Sequence, residues 1–508
     1  MKLLLLLLSA VAAAHGYNIL CIHTVPSKSH FQLMKGIVDP LVKAGHQVTM
    51  MTTFPDTTSQ KNLKYVDVSN IMKVMPTNVN MMDRGSQDMS LVMAMARNIS
   101  RLAIETPAVR EMLVKEQFDA VVSEWFFSDV DSGYAAVQEV PWILLSGMVM
   151  HTHIEHLVDA VRSVPTIPAL MNDAGIPMDF YARLKNTFAY LFMTFATLKD
   201  YPMVKSNYDA YFTPIAKARG VTLQPFDEAV HNISILFVNS HPSFAPAHSL
   251  PPNVIEIAGY HIPEDTPPLP EDLQLLLDSS SRGVIYFSMG SVLKSTQLPE
   301  KVKKDIISIF ADLPYTVLWK FEDKLDNLPK NVHIRPWFPQ TSVLAHNNVK
   351  VFITHGGLLS TLESLKFGVP VIAIPVFGDQ PSNAMRCVRE GHALMVTFSS
   401  DMGEELRAAL NEMLGNDKYY KRAKYLSKLF QSRPVTPTKL IQHYVELAIE
   451  SKGAHHLRSK SLLYSWYQLW MLDQIGLLLL ILYIIYRVFK IIGSFFKKEN
   501  VKKKQKRN

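Results

Sequence analysis

The chain alternates short apolar runs with amphipathic stretches. Residues 18–25 (NILCIHTV) are mostly apolar and read as a buried strand, and Phe31–Lys43 carries apolar positions at helical spacing. Gly45-His46 precedes a second strand, Gln47–Thr52, and this strand, helix, strand order predicts a parallel sheet. Phe118–Ser123 and Trp142–Leu145 continue the series. From His241 to Pro270 the pattern breaks, with eight prolines in thirty residues marking a linker. A second series follows at Val284–Ser288, Thr316–Lys320, His333–Arg335, Val351–Thr354 and Val371–Pro375, alternating with helical stretches such as Lys301–Leu313. The pattern predicts an α/β protein of two parallel-sheet domains. Ligands are expected in the cleft, outside the carboxyl ends of the strands.

Two stretches fit this scheme less well. The methionine-rich segment between Asn70 and Ala96 has little period and reads as adaptable helices and loops. Residues 186–198 (NTFAYLFMTFATL) carry no charge but are too few to cross a bilayer. A core helix is the default for them, and a helix lying against the lumenal leaflet is the alternative.

The ends are distinct. Met1, Lys2, six leucines and then small residues up to Gly16 make a secretory signal over 1–16. A nearly uncharged stretch over 474–493 reads as a membrane span, preceded by Trp466, Tyr467 and Trp470 as an interfacial belt. The basic tail 494–508 should be cytoplasmic, which leaves the body lumenal as a type I protein. Its last five residues, KQKRN, fit a dilysine retrieval pattern and so an endoplasmic reticulum membrane address.

Composition changes the picture in three ways. At 48% hydrophobic and 19% charged, the chain is not a disordered one. The net charge of +7 comes from the tail, since Arg487–Asn508 holds nine Lys/Arg against one Glu. The remaining 486 residues carry one net negative charge, so no nucleic-acid surface is expected. Two cysteines, Cys21 and Cys387, exclude a disulfide scaffold and are expected as free, buried thiols. Sequons at Asn98 and Asn232 are the glycosylation candidates of a lumenal body.

The densest chemistry lies in VFITHGGLLSTLESLKFGVPVIAIPVFGDQPSN, residues 351–383. A strand ends at Thr354, glycines follow, and a helix begins; backbone amides at such a helix start donate hydrogen bonds to a phosphate. His355 adds a side-chain donor. Glu363 lies seven residues after Gly356 on the same helix face, where a carboxylate suits ribose hydroxyls. Asp379 and Gln380 follow the next strand, in place for a sugar's hydroxyls. His151, His153 and His156 (HTHIEH) could ligate a metal, but no carboxylate-bearing motif accompanies them. They are expected in a pocket wall or surface turn. The Asp129-Val130-Asp131 triplet is treated as coincidence.

This string resembles the signature of the UDP-glycosyltransferases, and the resemblance runs the length of the chain. It implies a GT-B fold, two Rossmann-like domains facing across a cleft, with 17–240 binding the acceptor and 271–460 the UDP-sugar, joined by the linker 241–270. By that resemblance Arg335, Trp337, Pro339 and Gln340 form the R-x-W-x-P-Q element, with Trp337 on the uracil and Gln340 on the nucleoside. Ser288, Gly290 and Ser291 match the loop facing the diphosphate. Thr354, His355, Gly356 and Gly357 would hold the phosphates, Glu363 the ribose, and Asp379 with Gln380 the transferred sugar. The family needs no metal and no cofactor, the UDP-sugar being a co-substrate.

His30 matches the family's catalytic histidine. An imidazole can take the acceptor's proton, oriented by a carboxylate. The family usually places an aspartate after the strand that begins at Phe118; Glu124 stands there, with Asp129 and Asp131 as weaker stand-ins. Leu359 replaces an asparagine often found in vertebrate relatives. Both departures resemble invertebrate glucosyltransferases, so glucose transfer to a small lipophilic hydroxyl compound is expected. The rivals are UDP-glucuronate as donor, a membrane-lipid acceptor, and an inactive ligand-binding relative; a homo-oligomer is left open.

Overall fold

A computed structural model describes residues 16–56, 60–74, 89–159, 161, 163–169 and 174–505. The signal segment up to residue 15, much of the methionine-rich stretch and residues 506–508 lie outside the described residues.

Two doubly wound sheets form. The first contains β1 (Asn18–Ile22), β2 (Gln47–Thr52), β3 (Leu63–Asp67), β4 (Ala120–Glu124), β5 (Trp142–Ser146), β6 (Ile233–Val238) and β7 (Val254–Glu256). Its order is β3-β2-β1-β4-β5-β6-β7, and every pairing is parallel. The second contains β8 (Val284–Ser288), β9 (Thr316–Lys320), β10 (Val332–Arg335), β11 (Val349–Thr354), β12 (Val371–Ala373) and β13 (Ala393–Met395). Its order is β10-β9-β8-β11-β12-β13, again all parallel. Helices cover both faces, which is why the central strands β4, β5, β6 and β8 are buried at every position and read as mostly apolar runs without alternation.

The helices that matter for the site are α1 (Lys28–Lys43), α2 (Met89–Glu105), α3 (Phe180–Arg219), α4 (Leu358–Phe367), α5 (Gln380–Arg389), α6 (Pro437–Glu450) and α7 (Leu472–Gln505). Helix α1 buries Leu33, Met34, Ile37, Val38 and Leu41, a stripe at helical spacing that packs on β1 and β2. That packing starts the helix at Lys28, three residues before the expected Phe31, and puts His30 in its first turn.

Three expectations change. The segment 241–270 is not all linker, because β7 lies inside it and pairs with β6 as an edge strand. Edge strands tolerate nearby prolines, which hid it. Helix α6, expected with the second sheet, buries Ile441, Val445 and Ala448 against the first sheet's core. Residues 186–198 are not a core helix; they belong to the 40-residue α3 and leave Phe188, Leu191, Phe192, Phe195 and Leu198 exposed.

By packing, the chain forms two units. One spans residues 1–158 and 163–458 and holds both sheets; the other comprises 159–162 and 459–508. Within the second, Asp159 accepts hydrogen bonds from Ser459 and Ser461. Its helix α7 includes Leu472–Phe495, 24 residues long and apolar enough to cross a membrane, which contains the expected 474–493. Trp466, Tyr467 and Trp470 before it are solvent-exposed.

Candidate active site

In each sheet the strand order reverses at one point, and the predicted chemistry gathers there. In the first sheet the reversal lies between β1 and β4, which pair with Ile22 opposite Ser123. The chain leaving β1 turns into α1 and delivers His30; β4 ends on Glu124. The two side chains meet, with Nδ1 of His30 2.6 Å from Oε1 of Glu124. A carboxylate only accepts, so Nδ1 carries the proton and Nε2 is left for a substrate. The extra methylene of glutamate is accommodated because Gly147 stands behind it; a Cβ there would lie 2.7 Å from Leu33 and 3.2 Å from Oε1. The other oxygen, Oε2, is buried without a hydrogen bond among the described residues. Phe126 packs edge-on against the imidazole, ring centroids 5.4 Å apart.

Electrostatics at His30 oppose one another. Burial favours the neutral ring, but the charge and hydrogen bond of Glu124, with a smaller contribution from Asp379, win and hold the proton affinity above the ordinary histidine value. Asp379 in turn is raised by burial, offset partly by the hydrogen bond it accepts from Asn383 at 2.7 Å and by the His30 charge. His30 and Asp379 therefore feel each other across the cleft.

In the second sheet the reversal lies between β8 and β11, where Ser288 pairs with Thr354. The loop after β8 carries Gly290 at φ +86°, and the loop after β11 carries Gly356 at φ +79°. A Cβ on Gly290 or on Gly357 would come within 2.5 Å of the His355 ring, so both glycines leave the space that its Nε2–Cε1 edge fills. Gly357 precedes α4 in an extended conformation with no side-chain cap, leaving the first amides of the helix unclaimed by side chains. Burial, with the nearby Lys320 charge, lowers His355 to about 4, so the ring is neutral and keeps one N–H to donate. Ser288 accepts from the amide of Gly290 at 3.2 Å. After β12, Gln380 opens α5 and turns its carbonyl oxygen onto the amides of Val376 and Phe377 at 2.9 and 3.1 Å, fixing the loop that presents Asp379.

Beside this cradle is a cavity of about 570 Å³ lined by Ser288, Gly290, Ser291, Trp337, Gln340 and Glu363, all expected there. Trp337 follows β10 and is 56% exposed, an unusual state for a tryptophan unless something stacks on it. Gln340 accepts from Tyr286 at 3.2 Å and donates to Ser360 at 3.0 Å and to Glu363. Thr341 donates to Glu363 at 3.3 Å. Burial pushes Glu363 up to about 7 despite these donors. Arg335 instead pairs with Asp272 at the surface.

The sequence did not reveal three lining groups. Lys28 and Lys320 hold their ammonium groups 5.5 and 5.9 Å from the Trp337 ring, Lys320 paired with Glu322 at 2.6 Å. His261, from the stretch between the sheets, contributes a ring whose nitrogens are shielded from water and whose proton affinity burial lowers to about 4. The position of Lys320 at the end of a strand, like Thr354 and Ser288, was the available signal.

The remaining expected features lie outside this site. His151 and His153 lie beside Trp125 with their rings tilted, and burial lowers His153 to about 4; among the described residues no cluster of three or more His, Cys, Asp or Glu is arranged around a metal position. Asp129 accepts from the Trp125 indole at 3.0 Å rather than approaching His30. Cys21 and Cys387 are free and buried. The sequons do not sit in exposed loops. Asn98 lies within α2 and accepts from Arg101 at 2.7 Å, and its Ser100 is buried. Asn232 accepts from Arg458 at 2.6 Å, and its Ser234 is buried.

Two opposed Rossmann-like sheets, a His–Glu pair on one and a phosphate cradle beside an exposed tryptophan on the other, define a glycosyltransferase of the GT-B class. The family model for UDP-glucoronosyl and UDP-glucosyl transferases matches residues 18–507, and the chain belongs to that family. It is 32% identical over 492 residues to UDP-glucosyltransferase 2 of Dactylopius coccus, covering 94% of this chain and 93% of that one. It is 27% identical to UDP-glucuronosyltransferase 2B18 of Macaca fascicularis, covering 89% and 88%. Among solved structures it resembles a UDP-glucosyltransferase of Polygonum tinctorium (TM-score 0.57, 17% identity, 86% and 100% covered). The calicheamicin glycosyltransferase CalG4 is similar too (TM-score 0.58, 18% identity, 86% and 99% covered). The protein is a UDP-sugar glycosyltransferase.

Proposed function

We propose that the enzyme transfers glucose, with inversion, from UDP-glucose to a hydroxyl of a small lipophilic acceptor. The observation that carries the mechanism is the 2.6 Å contact between His30 and Glu124, facing Asp379. His30 Nε2 takes the acceptor's hydroxyl proton as that oxygen attacks the anomeric carbon. The bond from that carbon to the β-phosphate oxygen breaks, and UDP departs with the electron pair. Glu124 stabilises the imidazolium that forms. The departing diphosphate meets the amides after Gly357, the His355 donor and the Lys320 charge, so the chemistry calls for no metal. Trp337 stacks on the uracil, Glu363 binds the ribose, and Asp379 with Gln380 holds the glucose.

Glucose over glucuronate is supported by Glu124, by Leu359, and by the name of the insect relative at 32% identity. The apolar helix Leu472–Phe495 with the lysines behind it supports a single-pass anchor and a lumenal body in the endoplasmic reticulum. The deciding experiment measures UDP release and product structure with UDP-glucose and UDP-glucuronate against a panel of phenols, sterols and ceramide. A β-glucoside of a phenol, unaffected by EDTA, is the expected product. Transfer only from UDP-glucuronate, only to a lipid, or to none would overturn the respective part.

A further inference from the structure

Helix α3 presents an apolar face that has no packing partner among the described residues. Phe180, Tyr181, Leu184, Phe188, Leu191, Phe192, Phe195 and Leu198 keep between 41% and 75% of their surface exposed. At about 100° per residue all eight fall within a sector roughly 120° wide. With about 200 Å² per large side chain, the exposed part of the patch is on the order of 1,000 Å², beyond the few hundred Å² that soluble monomers usually leave contiguous. Pro202, which has no N–H, interrupts the helical hydrogen-bond ladder just past this face. Beyond it, Tyr208, Phe212, Ile215 and Ala216 turn into the core.

We propose that this face of α3 lies in the interface of the lipid bilayer, parallel to the membrane surface, as a second attachment besides α7. Charge placement favours lipid. Lys185 falls about 20° past one edge of the apolar sector and Arg183 about 60° past the other, where cations reach headgroup phosphates. The carboxylates at the two ends are engaged within the protein, Asp179 accepting from the amide of Ala182 at 2.7 Å and Asp200 pairing with Arg97 at 3.0 Å. The width of the sector argues against a helix from a second copy, since a coiled-coil seam uses two positions in seven. Here eight of the nineteen positions from Phe180 to Leu198 are apolar and exposed. The apolar helix Leu472–Phe495 is an independent observation: it ties the same chain to a bilayer and keeps lipid at high local concentration. Such docking would hold the acceptor-side sheet at the layer into which lipophilic acceptors partition, a consequence that rests on the acceptor class proposed above.

The test places a nitroxide at Leu191→Cys, and in a second sample at Thr197→Cys on another face, in the full chain reconstituted in phosphatidylcholine–phosphatidylserine vesicles. The native thiols are buried, so labelling is confined to the new site. Collision of the label with oxygen is compared with collision with a water-soluble nickel chelate. An oxygen-to-nickel ratio several-fold higher at 191 than at 197 is expected. In the background Phe188→Glu/Phe195→Glu, with its thermal unfolding transition retained, the ratio at 191 should fall to that at 197. Nickel access at 191 equal to that at 197 overturns the proposal. Dipolar broadening between labels at 191, with low access for both reagents, overturns it in favour of a second copy. These readouts are independent of turnover, so they stand whichever donor or acceptor the enzyme uses.

Discussion

The two sheets share one strand order and one place for their chemistry, yet they build it from different materials. At the β1/β4 reversal the site is a pair of titrating side chains, His30 and Glu124, held 2.6 Å apart by buried neighbours. At the β8/β11 reversal it is backbone: Gly290, Gly356 and Gly357 give access to amides and leave space for a histidine that burial keeps neutral. The difference follows from what each half must do. Binding a diphosphate requires fixed dipoles that never change charge. Moving a proton requires a group that does. The same scaffold therefore carries a static half and a switching half.

If that division holds, mutations should separate kcat from donor affinity. His30→Ala removes the switching group and should cost about 10²–10⁴ in kcat, the range of general-base catalysis, while UDP binding stays near that of the parent. A comparable loss of UDP affinity would blur the division. In the static half, Gly357→Ala drives a methyl into the Nε2–Cε1 edge of the His355 ring, an edge that Gly290 also borders. Loss of a hydrogen bond to a charged phosphate is worth about 1.5–3 kcal/mol, so UDP should bind roughly 10- to 100-fold more weakly by calorimetry. Trp337→Ala should cost about 1–3 kcal/mol of stacking. Uridine and UDP should then lose affinity by the same factor, whereas Gly357→Ala should spare uridine.

The two halves also differ in how far the sequence reveals them. Glycines before a helix, followed by Glu363 and Asp379-Gln380, are contiguous in the chain, and β2, β8 and β9 have the expected ends. The switching half joins residues 94 positions apart, so its pairing was carried by resemblance and by the strand that ends on Glu124. What stayed hidden has physical reasons. Six buried residues such as β6, five of them apolar, have no period to distinguish strand from helix. The stripe on α6 shows that it packs, but not on which sheet. The apolar content of 186–198 indicates burial without saying whether protein or lipid provides it. Lys28 and Lys320 look like any surface lysine until the fold brings them to Trp337.

The smallest change in rate should come from Glu124→Gln, and its pH dependence is the sharper readout. Glutamine can still accept from Nδ1 and keep the ring oriented, but it no longer stabilises the imidazolium formed in the transition state. An approximately tenfold fall in plateau kcat corresponds to losing about 1.4 kcal/mol, the low end of the premium for a charged acceptor. The proton affinity of His30 is set by burial pulling it down against Glu124 and Asp379 pulling it up. Removing the Glu124 charge lets burial win, so the acid limb of the kcat/KM profile should move to lower pH. The stability linkage has the matching sign. A histidine raised in the folded state stabilises the fold fully below its unfolded value near 6.5, and that contribution is lost as pH rises through the raised value. The Tm deficit of Glu124→Gln relative to the parent should therefore be larger in mild acid than above the raised His30 value. An acid limb that stays put, with an equal Tm deficit at both ends, would mean that Glu124 acts only as a spacer and that the first sheet is as static as the second.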